Sequence, residues 1–160
     1  MTKSQAPAQK PVLIVGKSIL HIEDSEIDHE ALTRAFKKIG IQVLITWCKN
    51  AEEAHQYLSE LEAKDSPLRR PSLILLDLNL PKESGLEFLT KVKAHPTLGV
   101  IPVIILSSSS KPSDIQSCYV EGANAYLLKP INSKELETKA ENIARFWLKD
   151  AVLPQGRLNV

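Results

Sequence analysis

The sequence predicts an α/β fold, a doubly wound parallel sheet of five strands, from three observations. Short aliphatic runs alternate strictly with longer segments of helical period, which is the order that builds βαβ units and a parallel sheet with helices on both faces. The runs are unbroken, as in Leu73-Ile74-Leu75-Leu76 and Val103-Ile104-Ile105-Leu106, so they read as strands buried on both faces. Polar chemistry also gathers at the end of each run: Glu23-Asp24 after Ile19-Leu20-His21-Ile22, Asp77 after Leu76, Ser107 after Leu106, and Lys129-Pro130 after Ala125-Tyr126-Leu127-Leu128. In a parallel sheet those ends share one edge, where the functional crevice of open α/β sheets lies.

Taken in order, the first strand is read as Ser18 to Ile22, because it leads directly into the acidic pair and a helix. The earlier run Val12-Leu13-Ile14-Val15 is left outside the domain, against a sheet edge or a neighbouring subunit. Gly16-Lys17-Ser18 imitates the end of a phosphate-binding loop, but that motif needs a glycine where Pro11 stands. Ser25-Glu26-Ile27-Asp28 opens the first helix, with Ile27, Ala31, Leu32, Ala35, Phe36 and Ile39 on its inner stripe and Gly40 as its stop.

The second strand is Gln42 to Trp47, and Asn50 caps a helix with Ala54, Tyr57, Leu58 and Leu61 on one face. Asp65 to Pro71 reads as a polar loop, and Ser84 opens the helix that turns Leu86, Leu89 and Val92 inward. Ser107 to Pro112 forms a small-residue loop before a helix from Ser113 to about Glu121. The last helix runs from Asn132 or Ser133 to about Val152, with Pro154 as its stop. The expected organisation is a tail at 1–17, one domain at 18–154 with an extended C-terminal helix, and a tail at 155–160.

Composition excludes several classes. A net charge of +1 gives no field that would favour nucleic acid or an anionic membrane surface. Two cysteines, Cys48 and Cys118, make neither a metal motif nor a disulfide framework. With no long apolar segment and no signal-peptide layout, a cytoplasmic location is expected.

The strand-end residues suit one chemistry. Clustered carboxylates with a backbone carbonyl suit Mg²⁺, a hard cation that often shares its shell with phosphate. A lysine and a hydroxyl opposite would neutralise and hydrogen-bond phosphoryl oxygens. The set describes a carboxylate that accepts a phosphoryl group beside a metal. A small aspartyl-phosphate phosphatase would place a second acid two residues beyond the nucleophile, where this chain has Asn79, which cannot transfer a proton in that way. Phosphotransfer by His29 or His55 would suit a helical bundle rather than five alternating strands. His21, inside an aliphatic strand, reads as a core histidine satisfied by a hydrogen bond.

Four motifs in order, Ile19-Leu20-His21-Ile22-Glu23-Asp24, Leu75-Leu76-Asp77-Leu78-Asn79-Leu80-Pro81 with Gly85, Ile104-Ile105-Leu106-Ser107 and Tyr126-Leu127-Leu128-Lys129-Pro130, resemble the receiver domain of two-component response regulators. The resemblance implies a flavodoxin-like (βα)5 sheet of strand order 2-1-3-4-5. It implies that Asp77 is the phosphoacceptor, and that Glu23 and Asp24 hold Mg²⁺ with Asp77 and the carbonyl of Asn79. It further implies that Ser107 is the switch hydroxyl, Lys129 the partner of the phosphoryl group, Tyr126 the aromatic switch, and Lys129-Pro130 a cis peptide.

The stretch Arg70 to Pro81 and the tail Phe146-Trp147-Leu148-Lys149-Asp150-Ala151-Val152-Leu153-Pro154 resemble the single-domain regulators that serve cyanobacterial phytochromes. A sensor histidine kinase, of phytochrome type, is the partner this implies. Turnover is then limited to the domain's own hydrolysis of its phosphate. No DNA-binding segment follows Pro154, so output is expected through protein contacts. Leu136, Ala140, Ile143 and Trp147 follow the stripe that packs on the sheet. Phe146, Leu148, Val152 and Leu153 fall off it and, with Trp147, are the candidate homodimer surface. The competing reading is a scaffold that dimerises whether or not Asp77 is modified.

Overall fold

The computed structural model describes residues 10–64 and 70–154. Residues 1–9 of the expected N-terminal tail, the expected tail at 155–160, and 65–69 of the polar loop lie outside the described residues. Five strands, β1 (Val12–Ile22), β2 (Ile41–Cys48), β3 (Leu73–Leu76), β4 (Val103–Ser107) and β5 (Ala125–Leu128), form one parallel sheet in the order β2-β1-β3-β4-β5. The helices are α1 (Glu26–Lys38), α2 (Ala51–Ala63), α3 (Gly85–Ala94), α4 (Pro112–Val120) and α5 (Ser133–Ile143).

Strand alternation sorts the apolar side chains into two layers. Leu20, Ile22, Ile74, Leu76, Val103 and Ile105 face α2, α3 and α4, where Ala54, Leu58, Phe88, Leu89, Val92 and Cys118 meet them. Ile19, Leu73, Leu75 and Ile104 face α1 and α5, against Leu32, Phe36, Ala140 and Ile143. Each fully buried Leu, Ile or Phe of these layers contributes roughly 1.5–3 kcal/mol over its exposed state. Their sum holds the strand tips in register. Local chemistry sets the helix starts: Ser25, Asn50, Ser84 and Asn132 each accept a backbone N–H three residues on, and Ser84 with Glu87 completes a reciprocal capping box.

Expectations for β1 and α1 are corrected. β1 begins at Val12, so the run Val12–Val15 is strand and not tail. Val12 pairs with Ile41 and Leu13 with Gln42, and the register then shifts before Ser18 resumes opposite Leu44. Gly16, at φ +74°, carries the irregularity, which a side-chain-bearing residue would resist. In α1, Ile27 is 78% exposed rather than on the inner stripe.

The C-terminal helix also changes character. From Ala144 to Asp150 it is π-helical, and the Ala151 N–H donates to the Phe146 carbonyl at 2.7 Å. The wider turn rotates Leu148 onto the sheet, where it is 2% exposed. Leu148 is therefore a core residue and is removed from the candidate dimer surface. Lys17 Nζ donates to the Leu148 carbonyl at 2.7 Å, tying β1 to this last turn, and the helix ends before Pro154 is reached.

Candidate functional site

The sheet delivers its polar residues to one edge. The Asp77 N–H donates to the Ile22 carbonyl at 3.0 Å and the Lys129 N–H to the Ser107 carbonyl at 2.8 Å. These bonds extend the ladders one residue past the strands and fix where the two side chains start. Glu23 and Asp77 are 1% and 3% exposed, Ser107 is fully buried, and Asp24 is open to solvent.

Lys129 Nζ is the hub. It donates to Glu23 Oε2 at 2.8 Å, to Asp77 Oδ2 at 3.1 Å and to Asp28 Oδ2 at 2.8 Å. Asp28 was not expected here. Its position three residues after Ser25 reads locally as part of a helix start, and nothing local reports a partner 101 residues away. Burial opposes the charge on Lys129, but its bonds to Asp28 and Glu23 and the charges of Asp77 and Glu23 outweigh it and hold the ammonium firmly protonated. The Lys129–Pro130 peptide is trans, correcting the expected cis bond. Trans is favoured by about 0.5–1 kcal/mol before proline, and the ammonium reaches all three carboxylates from it.

Glu23, Asp24 and Asp77 each bring a carboxylate oxygen within 4.8 Å of the others. Burial, and then the charge of Asp77, push the Glu23 carboxyl up to about 7, against the bonds from Lys129 and the Ser25 N–H. A cluster of acids short of positive charge is what a divalent cation would relieve, so the residues fit Mg²⁺. Asn79 is exposed on the same loop, its N–H 3.3 Å from Asp77 Oδ1.

The opposite wall is the β4–α4 loop. Ser107 Oγ accepts the Ser109 N–H at 3.2 Å, and the Ser109 carbonyl accepts the Tyr126 hydroxyl at 2.7 Å. The two expected switch residues are thus joined through one loop residue. Gly85 closes the floor. A Cβ there would strike the Asp77 carbonyl and lie 2.7 Å from Leu78 Cα. Gly85→Ala is expected to cost about 1–3 kcal/mol by overpacking and to push the Asp77 backbone outward. Denaturant midpoints check this, and an unchanged midpoint would contradict the close approach.

His21 is the satisfied core histidine that was expected: it is 1% exposed, with Nδ1 2.9 Å from Nδ1 of His29. Burial, then His29 and Lys129, push it down to about 3, so it stays neutral. His55 lies away from the site, its Nε2 2.9 Å from Glu83. Of the C-terminal candidates, Phe146 and Val152 are 56% and 100% exposed, while Trp147 and Leu153 are half-buried.

A buried aspartate at a sheet tip, flanked by an acidic pair, a hydroxyl and a lysine, is an arrangement that suits a receiver of phosphoryl groups in a signalling relay. Residues 19–141 match the response regulator receiver domain, and the chain belongs to that family. Among its relatives, the response regulator Rcp1 of Synechocystis sp. is 37% identical over 139 residues, covering 86% of this chain and 93% of Rcp1. The probable methanogenesis regulatory protein FilR2 of Methanothrix harundinacea is 35% identical over 130 residues, 81% of this chain and 83% of FilR2. The crystal structure of the phosphorylated cyanobacterial phytochrome response regulator RcpA, also 37% identical, matches with a TM-score of 0.78 over 86% of this chain and 98% of RcpA. The Mn²⁺-bound form of Rcp1 gives 0.76 over 86% and 99%.

Proposed function

We propose that Asp77 accepts a phosphoryl group from a phosphohistidine of a sensor histidine kinase of phytochrome type, and that the modified domain signals through protein contacts. The observation that carries this reading is Lys129 Nζ bridging Asp77 and Glu23 at a tip where Asp24 completes the acidic cluster. An Asp77 carboxylate oxygen attacks phosphorus, the P–N bond breaks, and the electron pair leaves with the imidazole. Glu23, Asp24, Asp77 and the Asn79 carbonyl would hold Mg²⁺, which when bound supplies positive charge to the transferring oxygens. Lys129 donates to the new phosphoryl group in place of the free carboxylate, and Ser107 offers its hydroxyl.

Ser107 drawn toward the phosphate pulls Ser109, and Ser109 carries the Tyr126 hydroxyl with it. Packing of α4 against β5 changes in turn, a two-state element biased by local charge. Hydrolysis of the acyl phosphate within the domain resets it. Phe146 and Val152, with Trp147 and Leu153, form the surface for a second copy. The resemblance to Rcp1 and RcpA favours the phytochrome partner, and a cytoplasmic setting is the one in which such a kinase would meet it; among the described residues no helix is long and apolar enough to cross a membrane.

A scaffold and a switch differ in one measurement. Light scattering after treatment with a small-molecule phosphodonor is expected to report a change in mass or affinity of the dimer. A dimer equally populated with and without phosphate supports the scaffold.

Metal binding carries its own pH signature. With Glu23 at about 7, binding below that pH must expel a proton. Mg²⁺ affinity is then expected to fall about tenfold per pH unit below 7. Calorimetric titrations at pH 5.5, 6.5 and 8 check this, and a flat profile would contradict the assignment of Glu23.

A further inference from the structure

Past the last sheet pairing of β1 with β2, Ile22 opposite Cys48, the Glu23 N–H still donates to the Cys48 carbonyl at 3.0 Å. In a parallel ladder the next donor, to the Glu23 carbonyl, would be the backbone N–H of Asn50. Asn50 has already left the strand to cap α2. The indole of Trp47 takes that place: its Nε1–H donates to the Glu23 carbonyl at 2.8 Å.

That carbonyl belongs to the peptide joining Glu23 to Asp24. Its rotation sets the directions in which both acidic side chains leave the backbone. The donor itself has two neighbours on its ring. The His29 ring stacks on Trp47 at 4.4 Å and 5°, and the Lys49 ammonium lies 4.9 Å from the indole centroid. His29 is in turn anchored to buried His21 at 2.9 Å. A ring clamped this way has little freedom to release the carbonyl it holds.

We propose that Trp47 is a positioning residue of the cation site: its indole N–H replaces a missing ladder bond and pre-orients the Glu23–Asp24 peptide for a divalent cation. The proposal rests on the reading of Glu23, Asp24 and Asp77 as Mg²⁺ ligands. Partners that orient metal ligands from outside the coordination shell typically cost about 10–100-fold in affinity when lost. Trp47→Phe keeps an aromatic ring beside His29 and removes the donor, so an about tenfold larger Mg²⁺ dissociation constant is expected. His29→Ala keeps the donor and frees the ring, and an intermediate loss is expected.

The test is isothermal titration of Mg²⁺ into the full chain and these two variants, with Ile143→Val, on the core face of α5, as a stability control. In parallel, the indole N–H resonances of the unaltered protein are followed during titration. The chain has two tryptophans, so Trp147 serves as the internal reference. The proposal expects the Trp47 resonance to move and that of Trp147 to stay, and expects Trp47→Phe to weaken binding while Ile143→Val does not. Unchanged affinity in Trp47→Phe, or a Trp47 resonance indifferent to Mg²⁺ that does bind, would overturn it. Absence of Mg²⁺ binding by the unaltered protein would instead overturn the reading of the acidic cluster, and the proposal with it. If Trp47→Phe does not fold, His29→Ala and the resonance titration decide.

Discussion

Lys129→Met is expected to destabilise the metal-free protein by about 2–3 kcal/mol at pH 8, near the lower end of what breaking a buried ion pair costs. The discount reflects Asp28, whose side chain is 44% exposed and can rehydrate. Glu23 and Asp77 cannot, and both lose their cation. The deficit should depend on pH, and its sign follows from Glu23. Its folded value, about 7, lies above the ordinary 4.5. A carboxyl raised in this way stabilises the fold below the unfolded value, and that contribution is lost as pH rises toward the folded value.

Lys129 acts against the shift, through its bond and its charge. Removing it raises Glu23 further, so the variant loses more at pH 8 than at pH 5. Added Mg²⁺ should recover part of the loss by supplying the missing charge. Thermal denaturation at both pH values, with and without Mg²⁺, checks the claim. An equal loss at pH 5 and pH 8 would mean that Lys129 matters for packing and not for the carboxylates.

Much of this site was legible because it lies on buried strands. Leu73 to Leu76 read as an interior strand, and Asp77 at its end is placed on the sheet edge by the matching polar chemistry that ends the other strands. The same holds for Ser107 after Val103 to Leu106. Legibility fails where a rule of local pattern is broken. Val12 to Val15 looks detached because Gly16 and Lys17 interrupt the aliphatic run, yet a bulge carries the strand through them.

Leu148 is misplaced by a constant helical period, because the helix widens at Ala144 and the inner face widens with it. Asp28 and Trp47 stay hidden for another reason. Each satisfies a local expectation, helix start or strand end, while its decisive partner lies across the fold. The cis peptide was implied by the family resemblance alone, and a Lys-Pro pair does not by itself tell the two isomers apart.

The account stands on Asp77, and intact mass is its most direct test. Full-length protein is incubated with a small-molecule phosphodonor, with Mg²⁺ or with a chelator, beside an Asp77→Asn variant. Asp77→Asn leaves the fold standing, since it removes one charge from a crowded acidic cluster and keeps the shape. It also removes the attacking carboxylate, so the expected loss of phosphorylation is complete. The prediction is a gain of one phosphate in the unaltered protein with Mg²⁺, and none in the chelated sample or in the variant. A gain that persists in Asp77→Asn, or that is indifferent to Mg²⁺, would contradict the account.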